Sequence, residues 1–273
     1  MVVQHNLTAM NSNRMLGLTQ STLTKSTEKL SSGYKINRAA DNAAGLAISE
    51  KMRRQVRGLT QASTNAQDGI SAVQTAEGAL NEVHDMLQRM NELAVQAAND
   101  TNMSKDRSYI QSEINQLATE IDRVANTTTF NEQSLLNGCF SSKLLQVGSE
   151  FADGEQTITI SIDTMKASTL GVNALDVSSH GKAGSAITLI KSALNIVSKQ
   201  RSDLGAYQNR LEHTISNLDN VVENTTAAES RIRDTDMATE MVKFSNQNIL
   251  QQAGQAMLAQ ANQSNQGVLS LLG

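Results

Sequence analysis

The sequence predicts a mainly α protein, an elongated antiparallel helical bundle with a long coiled-coil seam and one small β-hairpin region. Three observations support this fold class. The chain of 273 residues contains no proline, whereas a frequency of roughly 5% would supply about 14, and proline interrupts helices. Aromatic residues make up only 3% of the chain, which argues against a thick globular core. Long stretches also repeat apolar residues every seven positions, as helices do when they pack along one stripe.

The first segment is helical in pattern, but its apolar stripe is thin. Apolar residues lie seven apart and the alternate positions are polar: Val2, Ala9, Leu16, Leu23 and Leu30, with Asn13, Gln20 and Thr27 between them. Such a stripe does not offset the entropy of ordering an isolated segment, so we expect this end to be disordered in the monomer. A non-helical link follows from Gly33-Tyr34 to Asp41-Asn42, and Asp41 or Asn42 caps the next helix.

Residues 43–99 hold the strongest periodicity and predict a helix roughly 85 Å long at 1.5 Å per residue. Two interleaved registers define its seam: Gly45, Met52, Leu59, Ala66, Val73, Leu80, Leu87 and Ala94, and Ile48, Gln55, Ala62, Gly69, Ala76, Val83, Met90 and Ala97. A shorter helix follows around Ile110, Ile114, Leu117, Ile121 and Val124. Residues 182–235 repeat the heptad design, from Ile190 through Leu204 and Leu211 to Ile232. The three segments predict an antiparallel bundle.

One region between these helices has the pattern of strands. Residues 156–162 alternate with period two, Leu144 to Val147 precede them, and Asp153-Gly154 is a turn pair. A small β-hairpin near 143–162 is therefore predicted, and residues 163–181 are predicted to be irregular. No change of composition marks a separate globular insert.

The last segment is also helical in pattern and almost uncharged, and we expect it, like the first, to be disordered in the monomer. Ile249, Ala253, Ala256 and Met257 form a stripe, and Val268, Leu269, Leu271 and Leu272 close the chain. After residue 240 only Lys243 is charged. Identical copies could therefore pack tightly here without like-charge repulsion.

Composition argues against several classes of function. Five cations and one acidic residue in the first forty positions form too weak a patch for nucleic acid. No run of about 18 apolar residues predicts a membrane span, and no signal-peptide pattern is present. The four histidines are scattered and phosphate-binding loops are absent, so we predict no metal, no cofactor and no enzymatic activity. We expect the single cysteine, Cys139, to be a small buried hydrophobe, with an intersubunit disulfide as the alternative.

Two long stretches resemble a known family. The stretch from Leu30 to Asn99 resembles the N-terminal region of bacterial flagellins. It begins LSSGYKINRAADNAAGLAISEKMRRQVRGL. The stretch from Arg201 to Leu272, which begins RSDLGAYQNRLEHTISNLDNVVENTTAAESRIRDTD, resembles their C-terminal region. Flagellins normally carry variable outer domains in the middle. This chain passes from one half to the other through the predicted hairpin, so it resembles a minimal flagellin.

The resemblance implies a structural subunit that self-assembles into the flagellar filament for swimming motility. Residues 1–42 and 236–273 would pair as helices of the inner tube, and 43–235 would form the outer tube. The implied partners are other copies of the chain, a flagellar export chaperone, the type III export apparatus, and the filament cap and hook-junction proteins. Export without a cleaved signal peptide would place the protein outside the cell. Two alternatives stay open: a hook–filament junction protein of the same family, and a secreted host-binding module.

The resemblance also implies receptor sites. Those flagellins that engage Toll-like receptor 5 do so through a face that carries a segment similar to Gln88–Gln96, QRMNELAVQ, and Glu113 matches a family position on the neighbouring helix. The candidates are Arg89, Glu92, Leu93, Gln96 and Glu113. The alternative is structural, with Leu93 packed under the third helix and Arg89 in a surface ion pair. The terminal residues Val268, Leu269, Leu271 and Leu272 resemble the end that cytosolic inflammasome receptors bind, with core packing as the alternative.

Overall fold

The structure is a computed structural model that describes residues 6–150 and 155–272, with the side chains of the last helix described as far as Ser264. The helices are α1 (Leu7–Ser32), α2 (Ala43–Ala97), α3 (Ser104–Thr127), α4 (Ala167–Leu170), α5 (His180–Arg233) and α6 (Met237–Leu272). The strands are β1 (Thr129–Phe130), β2 (Gln133–Ser134), β3 (Lys143–Gln146) and β4 (Thr157–Ile160). The predicted mainly α class is confirmed. Two compact units are present, one made of Gln55–Val222 and the other of the residues before and after it.

In the unit Gln55–Val222, α2 and α5 run antiparallel with α3 packed beside them. Ser63 Oγ lies 3.5 Å from Asp219 Oδ1, Arg201 Nη2 lies 3.5 Å from Glu77 Oε1, and His180 Nδ1 lies 2.7 Å from the Ala98 carbonyl oxygen. The predicted heptads are the buried positions along most of both helices: Leu59, Ala62, Ala66, Val73, Ala76, Leu80, Val83, Leu87, Met90, Ala94 and Ala97 on α2, and Ile190, Ala193, Val197, Gln200, Leu204, Leu211 and Leu218 on α5.

Before Leu59 the predicted seam of α2 agrees with the structure at Gly45, which is buried, and differs at the other positions. Ile48 and Gln55 are exposed and Met52 is half-buried. The heptad therefore continues in the sequence beyond the point where α2 has a full set of partners in a single chain.

The two strands of the predicted hairpin are present, and a second small sheet precedes them; the predicted turn pair Asp153-Gly154 lies outside the described residues. Strands β3 and β4 pair antiparallel, from Lys143 opposite Ile160 to Gln146 opposite Thr157. Strands β1 and β2 form a tight antiparallel turn that the sequence did not predict, in which Asn131 and Glu132 both have positive φ. The core of this unit fills the space between these sheets and the three helices, with Leu135, Leu136 and Ile162 fully buried.

The segment that was predicted to be irregular, 163–181, contains the short helix α4 and is held by side chains from the long helices. Asp122 Oδ1 accepts a hydrogen bond from Ala167 N at 2.8 Å. The Gln111 amide bonds both the carbonyl of Leu175, at 2.7 Å, and the N–H of Val177, at 2.8 Å. Side-chain amides and carboxylates thus satisfy backbone groups that no strand or helix partner reaches.

In the other unit, α1 and α6 pair antiparallel and the links at their base are fixed by local chemistry. Asn6 caps α1 through its side-chain oxygen, and Gly33 ends it in the left-handed conformation, φ 75°. Asn42 caps α2, since its Oδ1 accepts from Gly45 N at 2.9 Å. Asp41 instead accepts from the N–H groups of residues 37 and 38, and these bonds hold its pKa below the ordinary value.

Candidate functional site

The α1/α6 pair has a heptad seam that includes the predicted Ala9, Leu16, Leu23 and Leu30, whereas its alternate members differ from those predicted. The predicted Val2 lies outside the described residues. On α1 the inward positions are spaced alternately by three and four: Ala9, Ser12, Leu16, Thr19, Leu23, Ser26 and Leu30. On α6 they are Glu240, Phe244, Gln247, Gln251, Gly254, Leu258 and Ala261. The predicted alternate positions Asn13, Gln20 and Thr27 are exposed. Small and polar side chains therefore make much of the contact between the two helices.

Many of the larger apolar residues of this pair point outward. Exposed on α1 are Leu7, Met10, Met15 and Leu18, and exposed on α6 are Met237, Met241, Val242, Ile249, Leu250 and Met257. The predicted stripe of Ile249, Ala253, Ala256 and Met257 is exposed throughout, with Ile249 at 64% and Met257 at 62%. The stripe is therefore not buried against α1.

A shallow groove of about 310 Å³ runs along this apolar side, between the two helices. Met15 and Leu16 line it from α1, and Leu250, Gly254 and Met257 line it from α6. Exposed apolar surface of this extent, with few charges, is characteristic of a surface that another protein covers. The residues that line this groove are suited to packing against another protein rather than to catalysis.

The terminal residues Val268, Leu269, Leu271 and Leu272 belong to α6. Their side chains lie outside the part of the chain that the structure describes. Their predicted role as an inflammasome-type motif stays a prediction.

The receptor candidates lie on the facing surfaces of α2 and α3. Arg89 donates two hydrogen bonds to Glu113 Oε1, from Nε at 3.1 Å and from Nη2 at 2.9 Å. Its Nη1 donates to Glu92 Oε2 at 3.1 Å. The hydrogen bonds to Glu113, and after them those to Glu92, raise the pKa of the Arg89 guanidinium. All three side chains are about half exposed or more, and Gln96 is exposed further along α2.

Leu93 is placed differently from the other candidates. It is 2% exposed and belongs to the large buried core that α2, α3 and α5 share. A partner on the surface could not touch its side chain without opening the core, so any contribution to binding would come from holding the helices of this unit together. Arg89 joins the α2–α3 ion pair that the structural alternative predicts.

The prediction that Cys139 is buried is wrong, because its side chain is exposed. The reason is a tight turn. Asn137 Oδ1 accepts a hydrogen bond from Cys139 N at 2.9 Å, and Gly138 has φ 90°. This turn directs Leu136 and Phe140 into the core and leaves the cysteine between them outside.

No other chemistry-bearing cluster stands out in the part of the chain that the structure describes. Among those residues no three histidine, cysteine, aspartate or glutamate side chains are grouped as a metal site would need. None of the described helices is both long enough and apolar enough to cross a membrane.

The residues that the sequence reasoning missed are Ser26 and Glu240. Ser26 Oγ donates to Glu240 Oε1 at 2.6 Å, and both residues are buried in the α1/α6 seam. The available signal was the spacing of hydroxyl residues: Ser12, Thr19 and Ser26 lie seven apart, one position before the apparent polar register.

Terminal helices that pair with each other and turn apolar faces outward define a self-associating helical structural protein. Comparison with known proteins then gives the family. The model of the bacterial flagellin N-terminal helical region matches residues 3–141, and that of the C-terminal helical region matches residues 187–272. The chain belongs to the bacterial flagellin family.

Similar proteins agree over the whole length. A flagellin of Halalkalibacterium halodurans is 55% identical over 274 residues, and one of Bacillus subtilis is 49% identical over 306 residues; each match covers all of both chains. A solved structure of a putative flagellar hook-associated protein from Vibrio parahaemolyticus shares the fold, with a TM-score of 0.58 at 13% identity, over 71% of this chain and all of that one.

Membership of this family establishes the general role of the chain. It is a structural subunit of the bacterial flagellar filament, formed by self-assembly, and it is not an enzyme. Its size is that of a flagellin without a variable outer domain.

Proposed function

We propose that the chain assembles through its paired terminal helices, with residues 1–42 and 236–273 forming the inner tube of the filament and 43–235 the outer tube. The observation that carries this proposal is the exposed stripe of Ile249, Ala253, Ala256 and Met257 on α6. Burying a side chain of the size of Ile or Met contributes roughly 1.5–3 kcal/mol. In a single chain these side chains are exposed, so the stabilisation that their burial would give is not realised.

The occupant of this surface is another copy of the same chain. After Glu240, Lys243 is the one charged residue, so two copies meet little like-charge repulsion. The stripe lies on α6. The exposed apolar residues of α1 are chemically similar to it but are arranged differently, so the two surfaces are not the same. Contacts between two different surfaces are heterologous, and a heterologous contact that does not close generates a helical fibre.

Seeded polymerisation tests this proposal. Ile249→Asp and Met257→Asp place a carboxylate on the stripe, and we expect the seeds not to elongate in electron micrographs. Gln255→Asp is the matched control, because it adds the same charge at an exposed polar position of α6, and it should elongate. Filaments of Ile249→Asp that grow at the reference rate would refute the role of the stripe. Failure of the unmodified chain to elongate any seed would favour the secreted host-binding module.

Assembly outside the cell needs a route, and we propose export through the flagellar type III apparatus without a cleaved signal peptide, with an export chaperone holding the ends. The filament cap and the hook-junction proteins are the proposed contacts at the two ends of the polymer. A hook–filament junction protein would form a short zone and not long filaments. The length of the seeded polymer therefore separates that alternative from the filament subunit.

A second proposed function is binding to Toll-like receptor 5. The observation that favours it is the exposed polar network of Arg89, Glu92 and Glu113, with Gln96 beside it. A partner can bind these groups without unfolding anything. Arg89→Ala and Glu113→Ala should each lower receptor affinity. Arg123→Ala, which removes another exposed ion pair on α3, is the control, and equal affinity for all three variants would contradict the proposal.

The last residues of α6 are proposed to be the segment that cytosolic inflammasome receptors bind. This role rests on the likeness of Val268, Leu269, Leu271 and Leu272 to the family's terminus. Polar substitution of Leu271 and Leu272 in the soluble chain should abolish inflammasome activation and leave binding to Toll-like receptor 5 unchanged.

A further inference from the structure

The seam between α1 and α6 contains a buried carboxylate. Glu240 is 5% exposed and Ser26 is 4% exposed. Ser26 Oγ donates to Glu240 Oε1 at 2.6 Å, and Lys243 Nζ lies 3.3 Å from Glu240 Oε2. Lys243 is itself exposed, so Ser26 is the group that satisfies the carboxylate inside the seam.

A carboxylate is an unusual choice at a seam position. Removing a charged group from water is costly, and an apolar residue of similar volume usually stabilises a helix pair as much or more. Polar groups at seam positions are best known for selecting one register of a coiled coil at some cost in stability. The buried Ser26–Glu240 pair is therefore better explained by selection of one helix register than by a gain in stability.

Much of the rest of the seam consists of small and polar residues, which discriminate less sharply between registers. Its α1 side alternates small or hydroxyl residues with leucine, and its α6 side contains Gln247, Gln251 and Gly254. Gln20 and Gln251 touch through flexible amides, which can find partners in several registers. Larger apolar side chains occupy the other positions, with Phe244 and Leu258 on α6 and with Leu16 of α1 close to Gly254, so apolar packing also contributes to the register.

A slip by one helical turn changes the environment of Glu240 sharply. The seam neighbours of Ser26 are Leu23 and Leu30. Moving α1 by three or four residues in either direction therefore brings a leucine to the carboxylate in place of the hydroxyl. The buried charge then loses its donor, and an unpaired buried charge is strongly unfavourable.

A slip by a whole heptad is opposed by a different feature. Such a slip would bring the Thr19 hydroxyl to Glu240, so the pair itself would tolerate it. The links at the base of the helices would not tolerate a slip by a heptad. Lys35 N donates to Arg233 O at 2.6 Å and Thr235 N donates to Gly33 O at 3.0 Å. The link between α5 and α6 is only three residues long, whereas a heptad slip moves a helix by about 10 Å.

We infer that Glu240, satisfied by Ser26, is the register-determining residue of the α1/α6 pair and excludes slips of one turn. The backbone bridge at the base excludes slips of a heptad. One register in every copy aligns the outward stripe identically along the polymer, a consequence that rests on the proposed assembly function. The register itself is a property of the single chain.

Distance measurement between two spin labels tests the register. The labels are placed on Cys substitutions at Thr22 and Asn262, which are exposed and on opposite helices, in the full chain. Cys139→Ser removes the exposed native thiol. A slip of one turn changes the axial offset by about 5.4 Å, which pulsed electron paramagnetic resonance resolves. Measurements are made on the soluble chain and on filaments diluted with unlabelled chain.

We expect one distance in the reference chain and in Glu240→Gln, which keeps an acceptor for Ser26. Glu240→Leu and Ser26→Ala should each add a second distance, offset by about 5 Å, in at least a tenth of the molecules. Gln247→Leu, which adds the same apolar side chain to another seam position, should keep one distance. A single distance in both Glu240→Leu and Ser26→Ala, or a second distance in Gln247→Leu of equal weight, would overturn the inference.

The same design separates this inference from the assembly proposal. If seeds never elongate but the soluble chain gives the expected distances, assembly fails and the register inference holds. If filaments form normally and Glu240→Leu retains one distance within them, the register inference fails and assembly holds.

Discussion

Replacing Leu93 with alanine separates a core role from a receptor role for this residue. Leu93 is 2% exposed and belongs to the buried core that α2, α3 and α5 share. Leu→Ala removes three carbons, worth about 0.8 kcal/mol each in transfer free energy. The cavity left behind adds a further contribution, so the free energy of unfolding should fall by about 3 kcal/mol. For a unit of this size the melting temperature should fall by about 6–12 °C.

The assay is paired measurement of thermal unfolding and receptor affinity on the same preparations. Leu93→Met conserves volume and should keep both properties. Arg89→Ala changes an exposed side chain and should leave the melting temperature unchanged while lowering affinity. If Leu93→Ala melts like the reference chain and still loses receptor binding, Leu93 is a direct contact, and the reasoning from its burial is wrong.

Three further predictions concern charge and backbone. The hydrogen bond from Ser26, followed by Lys243, lowers the pKa of Glu240, so its contribution is present above the ordinary pKa of 4.5 and is lost as pH falls; circular dichroism of Glu240→Gln should vary less with acid. The hydrogen bond from Lys182 lowers the pKa of Asp176 to about 2, so its stabilising contribution should be complete above the ordinary value of 3.8 and disappear as pH falls through about 2, which NMR of the carboxyl carbon can follow. Gly33→Ala forces a left-handed residue, φ 75°, and should destabilise the α1/α6 pair by about 1 kcal/mol in denaturant melts.

The long helices of the unit Gln55–Val222 could be predicted from sequence because one physical requirement dominates them. Each buries a single stripe along one partner, so the heptad in the sequence and the buried positions coincide from Leu59 to Ala97. The cap of α2 was predicted to be Asp41 or Asn42. The choice depended on which side chain reached the first free N–H group of the helix, and only coordinates give that.

The receptor candidates also show which features the sequence could predict and which it could not. Sequence spacing placed Arg89, Leu93 and Gln96 on one side of α2. That side lies at the edge of the core and is only partly buried. Burial separates Leu93 from the two polar residues, and the pairing of Arg89 with Glu113 depends on how α3 packs. Periodicity along one helix contains no information about that packing.

The segment 163–181 was predicted to be irregular because its order comes from outside it. Gln111 and Asp122 of α3 bond its backbone, and the Gln200 amide lies 3.4 Å from the Asp163 N–H group and from the Ser161 carbonyl oxygen. Each is a single polar residue on a helix, and a solvated face would have the same sequence pattern. The exposed Cys139 has a similar cause, since one Asn-Gly turn decides which neighbours point inward.

The α1/α6 pair could not be predicted in the same way, because its apolar residues serve two surfaces. In a soluble helical hairpin the largest apolar residues face the partner helix. Here Ile249 and Met257 face outward, while Ser26 and Glu240 are buried within the pair. A hydrophobicity pattern cannot distinguish a stripe for the chain's own partner from a stripe for another copy. Wholly apolar packing inside the pair would use up its large side chains, whereas an interior that mixes leucine and phenylalanine with small and polar residues leaves Ile249 and Met257 outside. That division of residues is the one that the proposed assembly requires, because it keeps an apolar surface for another copy.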